Sequence, residues 1–167
     1  VKLALPPKVR HSARIARGPV KARVLGDLEA SPDGQRVAFH AFSRIYVFDT
    51  KNGELAAVSP ENLHAAMPVW SPDGRSLAYV TWRDGAGAIY RQRARPGARA
   101  KRLTPVSGYY TAPAWSPDGA RIVALRGSPT EFQRRENGWG QVSSADLVWF
   151  SSQGGEDNFV IPARGLA

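Results

Sequence analysis

Ser71-Pro72-Asp73-Gly74 is the central one of three copies of a tetrapeptide that decides the fold. The other copies are Ser31-Pro32-Asp33-Gly34 and Ser116-Pro117-Asp118-Gly119, so the copies start 40 and 45 residues apart. These residue types favour a tight turn, because proline presets a backbone torsion, aspartate bonds to the nearby backbone, and glycine leaves the turn without steric cost. A repeat period in the forties is typical of a β-propeller.

The same series of strand-like segments follows each turn. Apolar alternation begins at Arg36, Ser76 and Arg121, a second apolar segment begins at Ile45, Ile89 and Leu147, and a third ends near Val58, Leu103 and Ile161. Segments that end in Trp70 and Trp115 precede the second and third turns and supply a fourth strand. Four short strands joined by turns form one propeller blade.

The repeats predict an all-β chain that forms a partial β-propeller of about three four-stranded antiparallel blades. Residues 1–23 are a basic lead-in or the remnant of a preceding blade, 24–60 are blade 1, 61–105 are blade 2, and 106–167 are blade 3, with a long loop insertion at 127–145. The pattern runs off both ends of the sequence, which predicts an excerpt of a longer propeller with open blade edges. Ala30 stands where the later repeats carry tryptophan, so the inner packing of blade 1 must differ.

Turn chemistry also explains the three aspartates of the repeat. Equivalent positions in successive blades are spaced around the ring of a propeller, so the three carboxylates lie far from one another. Each therefore caps its own turn, and the three do not form a catalytic or calcium-binding cluster. The structural turn residues are therefore Asp33, Gly34, Asp73, Gly74, Asp118 and Gly119.

Composition limits the other classes of function. The net charge is +9, and 18 of the 23 basic residues are arginine. The arginines between Arg91 and Arg102 alternate as on the solvent face of an outer strand pair, and no nucleic-acid-reading motif accompanies them, so a solvated face is favoured over nucleic-acid binding. No apolar run approaches the roughly 18 residues of a membrane span. Cysteine is absent and the three histidines lack metal-ligand spacing, so no metal and no cofactor is indicated.

Loops on one face of the predicted propeller are the candidate binding site. Connections between blades and loops between the second and third strands open on the same side of a propeller, and the length variation of the repeat falls in the latter loop. Aromatic residues and arginine are favoured in binding hot spots. The candidates are His64, Trp82, Arg83, Asp84, Tyr109, Tyr110, Arg134, Arg135 and Trp139. The alternative is that these loops carry only solvated polar residues and a few capping aromatics.

The repeat also resembles a known family. Pro-x-Trp-Ser-Pro-Asp-Gly followed by Arg-Ile-Val-Ala resembles the TolB-type, WD-repeat-like propeller repeat of bacteria, over about residues 24–165. Ala78-Tyr79-Val80-Thr81-Trp82, Gly108-Tyr109-Tyr110 and Leu125-Arg126-Gly127 look like the propeller region of bacterial amidohydrolases. Similar repeats precede the protease domains of tricorn-like peptidases.

The resemblance implies a non-catalytic platform for protein interaction or substrate gating, in the periplasm or outside the cell, with a cytoplasmic location as the alternative. It equally implies an accessory propeller in a larger amidohydrolase or peptidase whose catalytic residues lie outside this chain. The expected partner is another protein or the remainder of the parent polypeptide, and a homo-oligomer through the open blade edges is a further expectation.

Overall fold

The computed structural model describes residues 25–83, 86–127, 145–156 and 158–161, and these residues form strands and turns. Blade 1 contains β1 (Gly26–Ala30), β2 (Arg36–Ala41), β3 (Arg44–Asp49) and β4 (Leu55–Ala57). Blade 2 contains β5 (Ala65–Trp70), β6 (Ser76–Arg83), β7 (Ala86–Arg93) and β8 (Lys101–Arg102). Blade 3 contains β9 (Tyr109–Trp115), β10 (Arg121–Gly127), β11 (Asp146–Ser151) and β12 (Asn158–Ile161). A 3₁₀ helix, Glu61–Leu63, lies between blades 1 and 2.

Each blade is an antiparallel sheet whose four strands are adjacent in chain order. The first strands of neighbouring blades, β1, β5 and β9, contact one another, so they are innermost and the fourth strands are outermost. This arrangement confirms the predicted fold class, a partial propeller of three four-stranded blades. It also places all the connections at the two ends of the blades, where the candidate binding loops lie.

The Ser-Pro-Asp-Gly turn joins the first two strands of every blade through the same hydrogen bonds. In blade 2, Gly74 N donates to Ser71 O at 2.8 Å, and the Ser71 hydroxyl donates to Asp73 Oδ1 at 2.5 Å. The same hydroxyl accepts the backbone N–H of Ser76 at 2.9 Å, which starts β6. The turns of blades 1 and 3 repeat these bonds. The serine therefore links the turn to the strand that follows it.

The hydrophobic core lies between blades. In β6, Leu77 and Tyr79 are fully buried toward blade 1, whereas Ala78 packs with the residues of blade 3. The residue of blade 1 equivalent to Tyr79 is Phe39, which is only half-buried. Because alternate side chains of a strand point to opposite faces, the middle blade is covered on both sides. Blades 1 and 3 each have one side that faces away from blade 2. Among the described residues, the apolar side chains on these two sides are less buried, and we call them the open sides of the blades.

Each innermost strand contains a β-bulge four residues before the turn serine. The bulge residues are Asp27, Met67 and Ala112, whose φ angles of 52°, 51° and 48° are left-handed, and the strand register shifts around each of them. A bulge bends a strand and redirects its side chains. The Asp27 carboxylate accepts the backbone N–H of Met67 at 3.0 Å and lies 2.7 Å from Nδ1 of His40, so in blade 1 the bulge connects to blade 2.

Candidate functional site

The connections between blades and the loops between second and third strands meet at one end of the blades, which we call the loop face (residues 42–43, 61–64, 82–83, 86–87 and 106–109). Backbone hydrogen bonds join the two kinds of loop. Trp82 N donates to His64 O at 3.3 Å, and Gly108 N donates to Gly87 O at 3.1 Å. The two classes of loop that sequence reasoning assigned to one side are therefore in contact.

An aromatic pair joins the blade 2 and blade 3 parts of the loop face. The rings of Trp82 and Tyr109 are 5.3 Å apart between centroids and 82° apart in plane, an edge-to-face contact. Gly87 allows this approach, because a Cβ at that position would collide with the Gly108 carbonyl and the Trp82 ring. Burial raises the pKa of the Tyr109 hydroxyl above its ordinary value, which already lies well above physiological pH, and the hydroxyl is therefore neutral there. The pair presents a neutral, partly apolar surface.

Gly87, which lies against the Trp82 ring, also lines a cleft of about 350 Å³. Its lining residues are Asn62, Leu63, Thr81, Arg83, Gly87, Ala88, Tyr90, Arg102 and Ser107. Two cations, Arg83 and Arg102, are exposed at this cleft, and Arg102 Nη2 donates to the Ser107 hydroxyl at 2.9 Å. Tyr90 is the aromatic residue that lines the cleft, and the two guanidinium groups are of the kind that pairs with carboxylates.

The structure places the other predicted site residues in different surroundings. His64 is exposed at the end of the 3₁₀ helix, with a left-handed φ of 47°. Tyr110 belongs to the core: it is 3% exposed and its hydroxyl donates to the Val106 carbonyl at 3.0 Å. We therefore leave Tyr110 out of the loop face. The remaining candidates, Asp84, Arg134, Arg135 and Trp139, lie outside the described residues.

The turn aspartates lie at the opposite end of the blades, which we call the turn face. Hydrogen bonds from the turn serine, and then from a backbone N–H two residues later, lower the pKa of Asp33, Asp73 and Asp118. Each carboxylate is thus engaged within its own turn. The adjoining glycines, Gly34, Gly74 and Gly119, have φ angles of 68°, 64° and 70°. The hydrogen bonds of these carboxylates are local to the turns.

A second cleft, which the sequence did not predict, lies between the innermost strands. A cleft of about 330 Å³ is lined by the three bulges and the residues next to them, including Asp27, Met67 and Ala112. The only available signal was their shared position four residues before each serine. Neither cleft contains a metal-binding constellation: no three His, Asp or Glu side chains in residues 25–83, 86–127, 145–156 and 158–161 gather where they could hold an ion.

Arg91 departs from the interpretation of the arginine run as a solvated face. Its guanidinium lies 5.7 Å from the centroid of the Trp115 ring, and Nη1 donates to the Ser152 carbonyl of blade 3 at 3.0 Å. The side chain therefore joins two blades. In the described ranges, no helix has the length and apolar character needed to cross a bilayer.

Comparison with known proteins identifies the family. Residues 25–147 match the PD40 model, the TolB beta propeller domain. The chain is 32% identical over 107 residues to the uncharacterized peptidase YuxL of Bacillus subtilis, a match that covers 58% of this chain and 16% of that protein. It is 36% identical over 76 residues to the Tol-Pal system protein TolB of Alcanivorax borkumensis, covering 45% of this chain and 17% of that protein. Tricorn protease homolog 1 of Streptomyces coelicolor is 35% identical over 95 residues, which are 56% of this chain and 9% of the protease.

Solved structures show the same fold at lower identity. A structure described as a TolB of Agrobacterium tumefaciens superposes with a TM-score of 0.69 at 20% identity, covering 84% of this chain and 50% of that one. The acylaminoacyl peptidase of Pyrococcus horikoshii superposes with a TM-score of 0.60 at 17% identity, covering 84% of this chain and 25% of that one. The chain thus spans half or less of the length of these proteins. With the family model matching residues 25–147, the resemblance read from the repeat is confirmed: the chain belongs to the TolB β-propeller domain family.

Proposed function

We propose that this chain is a non-catalytic β-propeller segment whose loop face binds protein or controls access of a substrate. One observation carries the proposal: Gly87, which lies against Trp82 of the Trp82–Tyr109 pair, also lines a cleft of about 350 Å³ that presents two arginines. Tryptophan, tyrosine and arginine are the residues that most often dominate binding energy at interfaces. With a net charge of +9, the favoured partner is an extended segment with acidic side chains or a free carboxylate.

A hydrolase context is the second candidate. Two of the similar proteins are named as peptidases, YuxL and the tricorn protease homolog, and the acylaminoacyl peptidase shares the fold. In this alternative the propeller is the accessory part of a larger peptidase or amidohydrolase, and its loop face meets the substrate on the way to catalytic residues outside this chain. Assays of the purified chain with peptide and amide substrates then give no hydrolysis, because the proposal assigns no chemistry to these blades.

The open sides of blades 1 and 3 extend the proposal to a second kind of partner. Leu125 on blade 3 and Phe48 on blade 1 are 38% and 37% exposed. Further propeller protein would cover such apolar sheet faces, and a second copy of this chain is the alternative partner. The family likeness supports a periplasmic or exported location, which fractionation of cells expressing the parent protein would test.

Peptide binding tests the loop-face proposal. The probe is an array of short synthetic peptides of acidic, neutral and basic composition, and the strongest binder is then followed by fluorescence anisotropy. We expect acidic peptides to bind, and Trp82→Ala and Arg83→Ala to weaken binding by about tenfold. Arg99→Ala is the matched control, because Arg99 is an exposed arginine of the hairpin at the turn face.

Three results would count against the loop face. Binding that survives both loop-face substitutions, or that falls equally with Arg99→Ala, would place the contact elsewhere. Oligonucleotides that bind more tightly than acidic peptides, with an affinity that falls steeply with salt, would favour nucleic-acid binding instead.

A further inference from the structure

The two junctions between blades use one device. At the first junction, the indole N–H of Trp70 in blade 2 donates to the Glu29 carbonyl of blade 1 at 3.0 Å. Arg36 of blade 1 lies 4.7 Å from the centroid of that indole, and its Nη2 donates to the Gly74 carbonyl at 2.7 Å. At this junction, blade 1 contributes a carbonyl and a guanidinium, and blade 2 contributes a tryptophan and a carbonyl.

The second junction repeats the tryptophan–arginine contact with an arginine from a different strand and with a different acceptor carbonyl, that of Ser152. The indole of Trp115 donates to the Val69 carbonyl at 3.2 Å, which is the position equivalent to Glu29. Blade 2 has Ser76 where blade 1 has Arg36, and Arg91 from the neighbouring strand supplies the guanidinium. Both junctions place a guanidinium of one blade near the tryptophan ring of the next, so the contact belongs to the junction and not to one arginine position.

Blade 3 carries the arginine half of the device on its open side. Arg121 follows its turn serine by five residues, as Arg36 does, and it is exposed. Its guanidinium lies 4.7 Å from the centroid of Trp149, a residue of its own blade. Trp149 pairs with Val123 as Arg91 pairs with Ala78, so it stands where Arg91 stands in blade 2. The guanidinium is therefore held at the place where a next blade would meet it.

The apolar residues around Arg121 fit the same interpretation. Ile45 of blade 1 and Ile89 of blade 2 face the following blade and are 0% exposed, whereas their equivalent in blade 3, Leu147, is half-buried. Val80 is 7% exposed and its equivalent, Leu125, is 38% exposed. The residue types on this side of blade 3 therefore match those that form the two interfaces between blades.

The first blade of this chain lacks the complementary residue. Ala30 occupies the position of Trp70 and Trp115, immediately before the turn serine, and it is exposed. If a second copy presented its blade 1 to blade 3, a methyl group would meet Arg121. The indole N–H and the ring face, which both internal junctions use, would be missing.

We propose that the open side of blade 3 is a docking surface for a propeller blade, outside these residues, whose innermost strand ends in Trp-Ser-Pro-Asp-Gly. Arg121 recognises the indole of that blade, and Ala30 disfavours pairing with a second copy of this chain. The inference deepens the proposed covering of the open blade sides and is independent of the loop face.

The test restores the missing indole. Ala30→Trp in the full chain gives blade 1 the residue that blade 3 is inferred to recognise. Sedimentation at several concentrations is expected to show self-association at a concentration about tenfold lower than for the unmodified chain, since a cation–π contact and a buried hydrogen bond are added. Arg121→Ala in the Ala30→Trp background is expected to cancel the gain. Ala30→Leu is the matched control, because it adds apolar bulk without an indole.

A mixing experiment keeps the inference testable if self-association is complicated by aggregation. Isotopically labelled, unmodified chain is titrated with unlabelled Ala30→Trp chain, and the amide and indole signals of blade 3 are followed. We expect the signals of Arg121 and Trp149 to shift, and unlabelled unmodified chain to shift them far less.

The outcomes separate the two levels of the proposal. Equal association of the Ala30→Leu and Ala30→Trp chains, or insensitivity of the gain to Arg121→Ala, would overturn recognition of the indole while leaving the open sides as interfaces. A chain that stays monomeric in every variant, with unshifted blade 3 signals, would overturn both.

Discussion

Tyr79 donates its hydroxyl hydrogen to Oε1 of Gln92 at 2.7 Å, and both side chains are buried within blade 2. Nε2 of Gln92 in turn donates to the Val58 carbonyl at 2.6 Å, where the chain leaves blade 1. Fully paired polar groups in a core specify how the surrounding elements fit together, because each would be costly to leave unpaired. This chain of bonds fixes blade 2 against blade 1.

Tyr79→Phe should destabilise the chain by about 1–3 kcal/mol, because it leaves the buried Gln92 oxygen without its donor. Tyr90→Phe is the control: Tyr90 stacks on Tyr79 with ring centroids 6.2 Å apart but is only half-buried, so its hydroxyl loss should cost less. Urea unfolding followed by tryptophan fluorescence measures both. Equal costs for the two variants would show that the Tyr79–Gln92 bond adds nothing specific.

Gly74→Val should cost about 1–2 kcal/mol or more, because Gly74 has a φ of 64° and a β-branched residue resists the left-handed region. The Cβ itself would lie at ordinary contact distances of 3.5 Å from Arg36 Nη2 and 3.7 Å from Pro32 Cδ, so the torsion and not the Cβ is the cost that any residue with a side chain must bear. Gly74→Asn should therefore be tolerated better. Chemical denaturation compares the two variants, and identical midpoints would remove the torsional explanation. A helical circular-dichroism spectrum of the unmodified chain would contradict the fold itself.

The propeller fold was predictable because its signals are local in the sequence. A Ser-Pro-Asp-Gly turn makes its bonds within six residues, from Ser71 to Ser76, so the residue types alone indicate the geometry. The alternation after each turn likewise reports a strand with two faces. Three repeats of one local pattern then specify the architecture.

The features that sequence reasoning missed depend on contacts between blades. Met67 and Ala112 adopt left-handed torsions at bulges without being glycine, so no residue type marks them. Tyr109 and Tyr110 are adjacent, and only the strand orientation decides that Tyr110 enters the core while Tyr109 meets Trp82. Arg91 is one of a run of charges, and its contact with Trp115 comes from the next blade. Such assignments need the relative placement of the sheets.

Asp73→Asn should make the free energy of unfolding depend less strongly on pH in the acid range. The hydrogen bond from Ser71 and the Arg75 backbone N–H lower the pKa of Asp73, so the folded state binds its proton at lower pH than the unfolded state. The stabilisation is therefore present above the ordinary aspartate pKa of about 3.9 and is lost as the pH falls through the folded-state value. Urea midpoints measured between neutral pH and about pH 3 test this. Glu54→Gln, in an exposed hairpin, is the charge control, and a variant profile as steep as the original would refute the assignment.

Replacing residues 129–143 by a short linker should leave the fold intact. Arg126 of β10 pairs with Asp146 of β11, so the two strands already meet where the segment departs and returns. The entropy of closing a loop grows only slowly with its length, which makes shortening it a small perturbation. Circular dichroism and thermal unfolding of the shortened chain provide the measurement. Loss of folding would show that Trp139 or its neighbours belong to the core.

Hydrogen exchange should be slowest in the middle blade. β6 is buried on both sides, and Tyr79 is 0% exposed, whereas Phe48 of blade 1 and Leu125 of blade 3 are 37% and 38% exposed. Closed propellers use about 4–8 blades, and closure protects their sheets. The isolated chain should therefore exchange fastest in blades 1 and 3, and it should associate or aggregate as its concentration rises, because an uncovered apolar sheet face favours association. Mass-spectrometric exchange at two protein concentrations, with sedimentation on the same samples, gives both quantities. A compact monomer at all concentrations, with equal protection in the three blades, would mean that the chain covers its own open sides.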